Sequence, residues 1–485
     1  MSGRASAASS GVGLRSERGP VLVGVMLSTA LVAIDATVIA TAVPSVVAEL
    51  GGFAEFPWLF SVYLLAQAVT VPVYGKLADS FGRKPVMLVG IGLFLLGSVL
   101  CGAAWSMGAL IAFRAVQGLG AGAVQPMSMT IVGDLYSLRE RARVQGYIAS
   151  VWAVSSVVGP TLGGVFSEYV SWRWIFFVNV PLCLVAAAAI GLRFAERVDR
   201  RPPRFDHTGA AVLTVALTLL VLGLLEGGQA WAWSSPQGVA VLGGGAVLLG
   251  VFVLVERRAA DPVVPLRLLR SRLLVATNVV SACVGAVLLG LTSYVPTFVQ
   301  DVLGTGPLVA GFALAALTLG WPISASQAGR VYLRIGMRAT ACVGATVVVA
   351  GAALLLLLDG SSGVLQVGAT VFVIGLGMGL TAAPTLIAAQ AAVGWQQRGV
   401  VTGSNMFFRS AGSAVGVAVF GAVVNATVGG SGGGVTPAAL TTAVQHVFLG
   451  TTVLAVVLLV AALLMPRDRG GAPVTVTDPS EAAAG

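Results

Sequence analysis

Apolar residues fall along this chain in fourteen long runs. They lie at approximately 21–44, 58–78, 86–104, 107–132, 145–168, 172–192, 209–228, 237–255, 273–298, 306–328, 340–358, 364–389, 399–425 and 441–465. Each is long enough to cross about 30 Å of hydrocarbon as an α-helix rising 1.5 Å per residue. The pattern predicts an all-α integral membrane protein with about fourteen transmembrane helices.

The basic residues set the orientation. If the termini and every loop from an even-numbered span to an odd-numbered one share a side, that side holds all but three of the 28 Lys and Arg. The opposite side has Arg173, while Arg114 and Arg409 fall within spans. Because cytoplasmic loops concentrate positive charge, both termini are expected in the cytoplasm of a cell membrane. Miscounting by one helix would scramble this segregation. The run from Val21, preceded by Arg4, Arg15 and Arg18, is too long for a signal-peptide core and has no small-residue cleavage site. It is expected to remain as the first span.

Composition agrees with this reading. The chain is 57% hydrophobic and 10% charged, against roughly 25% charged residues in soluble domains, so a water-soluble fold is excluded. The 63 glycines suit a bundle whose small residues let backbones approach. The formal charge of +9 mostly reflects topology and calls for no nucleic-acid partner. Arg outnumbers Lys 26 to 2 and Ala, Gly and Val dominate, which suggests a GC-rich bacterial genome. Cys101, Cys183, Cys283 and Cys342 fall singly in apolar runs, and His207 and His446 stand alone near span ends. No metal site or other cofactor is therefore expected. The chain has no GxxxxGK[ST] segment, so no nucleotide-driven step is expected.

Two loops resemble each other: Gly75 to Lys84 (GKLADSFGRK) and Gly329 to Arg338 (GRVYLRIGMR). Both hold Gly at a seven-residue separation and a basic residue two positions on. If they are equivalent, spans 1 to 6 repeat as spans 9 to 14, the plan of transporters whose parallel halves enclose the substrate. The chain then divides into a tail at 1–20, a six-helix half at 21–192, and an inserted two-helix linker with basic flanks at 193–272. A second six-helix half at 273–465 and a tail at 466–485 follow.

Five segments in order sharpen this. They are Ile34-Asp35-Ala36-Thr37-Val38-Ile39 through Pro44, Gly75 to Val86, Leu110 to Gly122 (LIAFRAVQGLGAG), Gly159-Pro160-Thr161-Leu162-Gly163-Gly164, and Trp172 to Pro181. Through them the chain, from about Val21 to Met465, resembles the major facilitator superfamily and within it the fourteen-helix drug:proton antiporter family. The resemblance implies a major-facilitator-type fold, a monomer in membrane lipid, and proton-coupled efflux of small molecules rather than an enzymatic activity. It associates Gly159, Pro160, Gly163 and Gly164 with exchange; physically, this face of mostly small residues speaks to packing and hinging. There are departures: Ser155 stands where the fifth-span pattern often begins with Gly, Ala40 where Asn is common, and Leu333 where the second-half loop has an acid. The missing acid places more weight on the first loop.

Asp35 lies about fourteen residues, or ~21 Å, into the first span, where an ionised carboxylate costs at least ~2.5–3.5 kcal/mol. It is the candidate for proton coupling or for receiving a cationic group directly, against a plain hydrogen bond to a hydroxyl such as Ser28. Arg114, Gln117, Gly118, Ala121 and Gln125 share a helical face that should line a central cavity, with Arg114 as the candidate partner of Asp35. Asn405 and Arg409 form a similar face in span 13, either contacting cargo or paired with polar neighbours. Gly75, Asp79, Gly82, Arg83 and Lys84 form a candidate cytoplasmic gate, since ion pairs at a moving interface bias a two-state equilibrium. Glu226 reads as interfacial. Phe56, Trp58, Trp105, Trp172, Trp174, Trp231 and Trp233 read as a membrane-interface belt.

Together these features predict proton-driven export of amphipathic, in part cationic, drugs or antibiotics. A dedicated exporter of one endogenous metabolite, a transporter-fold ligand sensor, an uptake symporter and sodium coupling stay open.

Overall fold

A computed structural model of the chain describes residues 13–51, 58–196, 206–227, 231–232, 234–259, 262–264, 270–429 and 437–467. Backbone polar groups cannot be left open in lipid, and the chain satisfies them as helices. The helices of the first part are α1 (Gly19–Leu50), α2 (Trp58–Phe81), α3 (Arg83–Gly102), α4 (Met107–Leu135), α5 (Leu138–Tyr169), α6 (Trp174–Phe177) and α7 (Asn179–Arg193). Then come α8 (His207–Glu226), α9 (Pro236–Glu256), α10 (Arg272–Thr297), α11 (Pro307–Ile335), α12 (Met337–Leu355), α13 (Val364–Ala391), α14 (Arg398–Gly429) and α15 (Pro437–Leu464). Because α6 and α7 form one span interrupted at Val178, the described residues contain 14 helical segments long and apolar enough to cross a membrane.

Packing separates the chain into two groups. α1, α2, α3, α4, α5 and α7 pack on one another, as do α10 to α15, and α8 packs along α9 while touching α2 and α14. The apolar clusters follow the same division. One draws on residues between Leu273 and Met465, and two others draw on residues between Val21 and Phe194. Glu256, at the end of α9, is buried and accepts from the Val264 N–H at 2.6 Å, which ties down the segment after the pair.

The two similar loops fold alike. α2 passes into α3 through Gly82 at φ 100°, and α11 passes into α12 through Gly336 at φ 86°. A Cβ is strained in this region, so glycine is what allows so abrupt a turn.

Hydrogen bonds and ion pairs between the two groups all lie at the end carrying these loops, here called the basic end. Among the described residues none joins α1–α7 to α10–α15 at the far end. The seam is therefore closed at the basic end. At the far end Trp105 and Trp174 are exposed, as an interfacial belt requires, but Trp172 is not. It is 2% exposed and its indole N–H donates to Glu49 at 2.7 Å, so it is a packing residue that links α1 to the turn before α6. Arg173 also bonds Glu49, and together Arg173 and Trp172 hold that carboxyl below the usual carboxylate range. Phe56 and Trp233 lie outside the described residues.

Gly82→Ala and Gly336→Ala are each expected to lose about 1–2 kcal/mol of stability, the cost of forcing a Cβ into the left-handed region. A lowered thermal midpoint of purified protein in detergent checks this.

Candidate functional site

The deepest polar group is built on α4. Ser106 caps this helix by accepting from the Ala109 N–H at 3.2 Å, and Arg114 and Gln117 then lie one turn apart on its inner face. Arg114 Nη1 is 2.7 Å from Asp35 Oδ2 on α1 and 2.7 Å from Gln117 Oε1. Gln117 Nε2 donates to Asp35 Oδ1 at 2.9 Å and to Ser98 Oγ on α3 at 2.8 Å. Asn179, at the start of α7, donates to the same hydroxyl at 3.2 Å. Arg114 Nε donates to the Leu59 carbonyl, and its guanidinium lies 4.1 Å from the centre of the Tyr63 ring on α2. One ion pair thus ties five helices together.

Asp35 and Arg114 are each 1% exposed and Gln117 is fully buried, so this part of the polar stripe faces packed protein and not an open cavity. Of its members Gln125 is partly open, and it accepts from Gln67 of α2 at 3.1 Å. The Ser28 hydroxyl donates to the Gly24 carbonyl and leaves Asp35 alone. α4 reaches its partners because small residues face it: a Cβ on Gly97 would lie 2.5 Å from the Gln117 N atom.

α5 grips the helix that carries Asp35. Gly159 packs on the Thr37 hydroxyl, which is 3.2 Å from the carbonyl of the buried Ser155. Gly163 is buried, Gly164 faces open space, and the side chain of Pro160 lies outside the described residues. Gly159 and Ser155 are the residues that meet α1, at Ile34 and Thr37 on either side of Asp35.

The second polar group closes the seam. Arg83 is fully buried. It donates to Asp79 and to the Ala78 carbonyl, bonds the Trp395 carbonyl across the seam, and stacks 3.7 Å from the Trp395 ring centre. Its Nε is 3.0 Å from Asp134, which also pairs with Arg398 at 2.9 Å. Asp79 in turn accepts from the Gly399 and Val400 N–H groups at 2.9 and 2.8 Å. Those N–H groups are the unsatisfied first turn of α14, and the carboxylate meets the positive end of that helix dipole. Gly75 lets the helices approach: a Cβ there would lie 2.6 Å from the Gly399 carbonyl. Glu196 caps the start of α3, accepting from the N–H groups of Arg83 and Lys84.

In the second group Asn405 is buried between α14 and α10, donating to the Thr277 carbonyl and accepting from Ser281. Arg409 lies one turn further on and has no hydrogen bond or ion pair among the described residues. Glu226 is half-buried at the end of α8. No group of three His, Cys, Asp or Glu that could hold a metal occurs among the described residues.

Asn179 lies in the Trp172–Pro181 segment without a role assigned to it, and Asp134, Glu196, Trp395, Ser98 and Gln67 belong to none of the candidate sites read from the sequence. Each is a lone polar or aromatic residue at a span end or among apolar neighbours, and only the packing of distant helices shows what it meets.

Two groups of six spans with a further pair beside them, a charged seam between the groups and an ion pair sealed within one of them define a multi-pass membrane transporter. The Major Facilitator Superfamily model matches residues 25–417, and the chain belongs to that family. It is 33% identical over 417 residues to the Multidrug transporter protein MdtP of Bacillus subtilis (strain 168), covering 86% of this chain and 77% of that one. It is likewise 33% identical over 405 residues to Multidrug resistance protein 3 of the same organism, covering 83% and 79%. Among solved structures it is similar to the human organic anion transporter MFSD10 (TETRAN), with a TM-score of 0.64 at 16% identity over 92% of this chain and 98% of that one. That likeness speaks to the fold.

Arg114→Ala is expected to destabilise the protein by about 3–5 kcal/mol, because it strands the Asp35 carboxylate in a dry site. Asp35→Asn combined with Arg114→Gln should recover part of the loss, since neither charge then remains. Thermal unfolding of wild type and these two variants checks both statements.

Proposed function

We propose that this protein exports amphipathic small molecules, drugs or antibiotics among them, in exchange for protons. It works as a monomer in the cell membrane, with the basic end and both termini in the cytoplasm. Residues 21–192 and 273–465 act as the two moving halves, with α8 and α9 as an inserted pair. The names of the bacterial relatives support the cargo class, and the segregation of Lys and Arg supports the orientation. No nucleotide or other cofactor enters the cycle.

The observation that carries the proton-coupled part is the Asp35–Arg114–Gln117 network. Among the described residues Asp35 is the one carboxylate that is both deep in a span and sealed from the cleft. Both its oxygens are held by α4, so taking up a proton weakens the grip between α1 and α4. A proton shifts the balance between two conformations only by binding them unequally, and a carboxylate whose partner moves with the conformation meets that condition. In this cycle a proton from outside reaches Asp35 after the cargo has left. Neutral Asp35 then releases Arg114, the seam held by Asp79 and Arg83 opens, and the proton leaves to the cytoplasm as fresh cargo enters from there.

Proteoliposomes holding wild type or Asp35→Asn, given ethidium as a test dye, provide the experiment. Dye-driven proton movement is expected in wild type and absent in the variant. Equal responses in both would remove Asp35 from coupling while keeping export. No response from wild type to ethidium or any other dye tried would point to one dedicated cargo or to a ligand sensor.

A further inference from the structure

We propose that Arg409 is a binding group for cargo that carries an anion, so that the protein takes amphipaths bearing a carboxylate, sulfonate or phosphate. The proposal rests on the reading of the cleft between the halves as the cargo route. It replaces the expectation that a cationic group is held at Asp35, because both Asp35 oxygens are already taken and the residue is 1% exposed.

Arg409 stands apart from the other buried arginines. Arg83, Arg114 and Arg141 each have two or more oxygen partners within hydrogen-bond distance. Arg409 has none among the described residues. It lies eleven residues along α14 from Arg398, about 16 Å of helix, which is too far for its side chain to reach solvent at the closed basic end. It is deep in the bundle, yet part of its surface is open. The open part of that surface is where cargo in the cleft between the halves would reach the guanidinium. No described carboxylate is left to balance it: Asp35 is engaged with Arg114, Asp79 and Asp134 belong to the seam, and Glu226 lies at the end of α8.

The surroundings make this a built site. Gly285 of α10 packs on the Arg409 carbonyl and Gly412 packs on the Ala282 carbonyl, so the backbone that carries the guanidinium is pinned against α10. One turn toward the basic end, the Ser281–Asn405 and Asn278–Ser404 hydrogen bonds form a polar floor. Phe408 is half-buried beside Arg409, with its ring edge-to-face at 5.8 Å from that of Phe407, and offers an apolar wall. The planar fork of a guanidinium matches two oxygens of a carboxylate, sulfonate or phosphate. The apolar wall suits the rest of an amphipath.

A matched pair of probes tests this without requiring transport. Dansylglycine is an anion, and dansylglycinamide is its neutral counterpart; energy transfer from the protein's tryptophans reports binding of either to the purified protein in a neutral detergent. The wild type is expected to bind the anion about 10-fold more tightly than the amide. Arg409→Gln should lose that preference with amide affinity unchanged, and Arg409→Lys should keep part of it. The proposal is overturned if wild type shows no preference, or if Arg409→Gln weakens both probes equally, the mark of a structural arginine. It is also overturned if phosphatidylglycerol added to the micelles abolishes the preference, since the site then holds a lipid headgroup. None of these results depends on proton movement, so the exchange reading stands or falls separately on the ethidium experiment.

Discussion

A carboxylate and a guanidinium sealed together in a low-dielectric interior constrain everything else in this molecule. Neither Asp35 nor Arg114 is tolerable alone at that depth, and the pair is tolerable because fixed neighbours meet the second carboxylate oxygen and the guanidinium Nε. Gln117 accepts from Arg114 and donates to Asp35 and Ser98, the Leu59 carbonyl takes Arg114 Nε, and the Tyr63 ring covers the guanidinium. Meeting those demands requires α1, α2, α3 and α4 to approach closely. Small residues such as Gly97 and Gly159 supply the room.

Much of the fold was legible in the sequence, and for a physical reason. Lipid demands long apolar helices with charge kept out, so span number and the sidedness of Lys and Arg are written one residue at a time. The turn at Gly82 and its counterpart at Gly336 could also be read, because a repeated glycine spacing marks a repeated backbone need. The site was legible in part. Asp35 and Arg114 stand out as charges inside spans, but their sealed setting depends on Ser98, Asn179 and Leu59, whose roles no local pattern announces. Trp172 shows the opposite error. An aromatic residue at a span end reads as interfacial, yet here it turns inward to reach Glu49.

The two intramembrane arginines of the chain end up in contrasting states. Arg114 is neutralised within its own half and holds five helices together, so its charge is structural in this conformation. Among the described residues Arg409 is left without a counter-ion in the corresponding bundle of the other half. In a dry interior such an imbalance would be costly, and it is tolerable where water or a bound anion reaches the guanidinium. Charge compensation therefore distinguishes the two halves among the described residues: complete around Arg114 in the first and absent around Arg409 in the second.

The seam shows the same asymmetry at a smaller scale. Asp79, on α2, captures the first N–H groups of α14, joining a carboxylate to the positive end of a helix dipole. In the similar loop of the second half the corresponding position is Leu333, which is exposed and can make no such bond. There α11 meets α5 through small residues, a Cβ on Gly146 lying 3.7 Å from Ser326, and Arg141 turns back to the Tyr136 and Gly133 carbonyls of its own half. One side of the closure is thus held by a buried carboxylate on a helix N-terminus, while on the other small residues of α5 and α11 pack together. Opening has to break the bonds that Asp79 and Arg83 make across the seam.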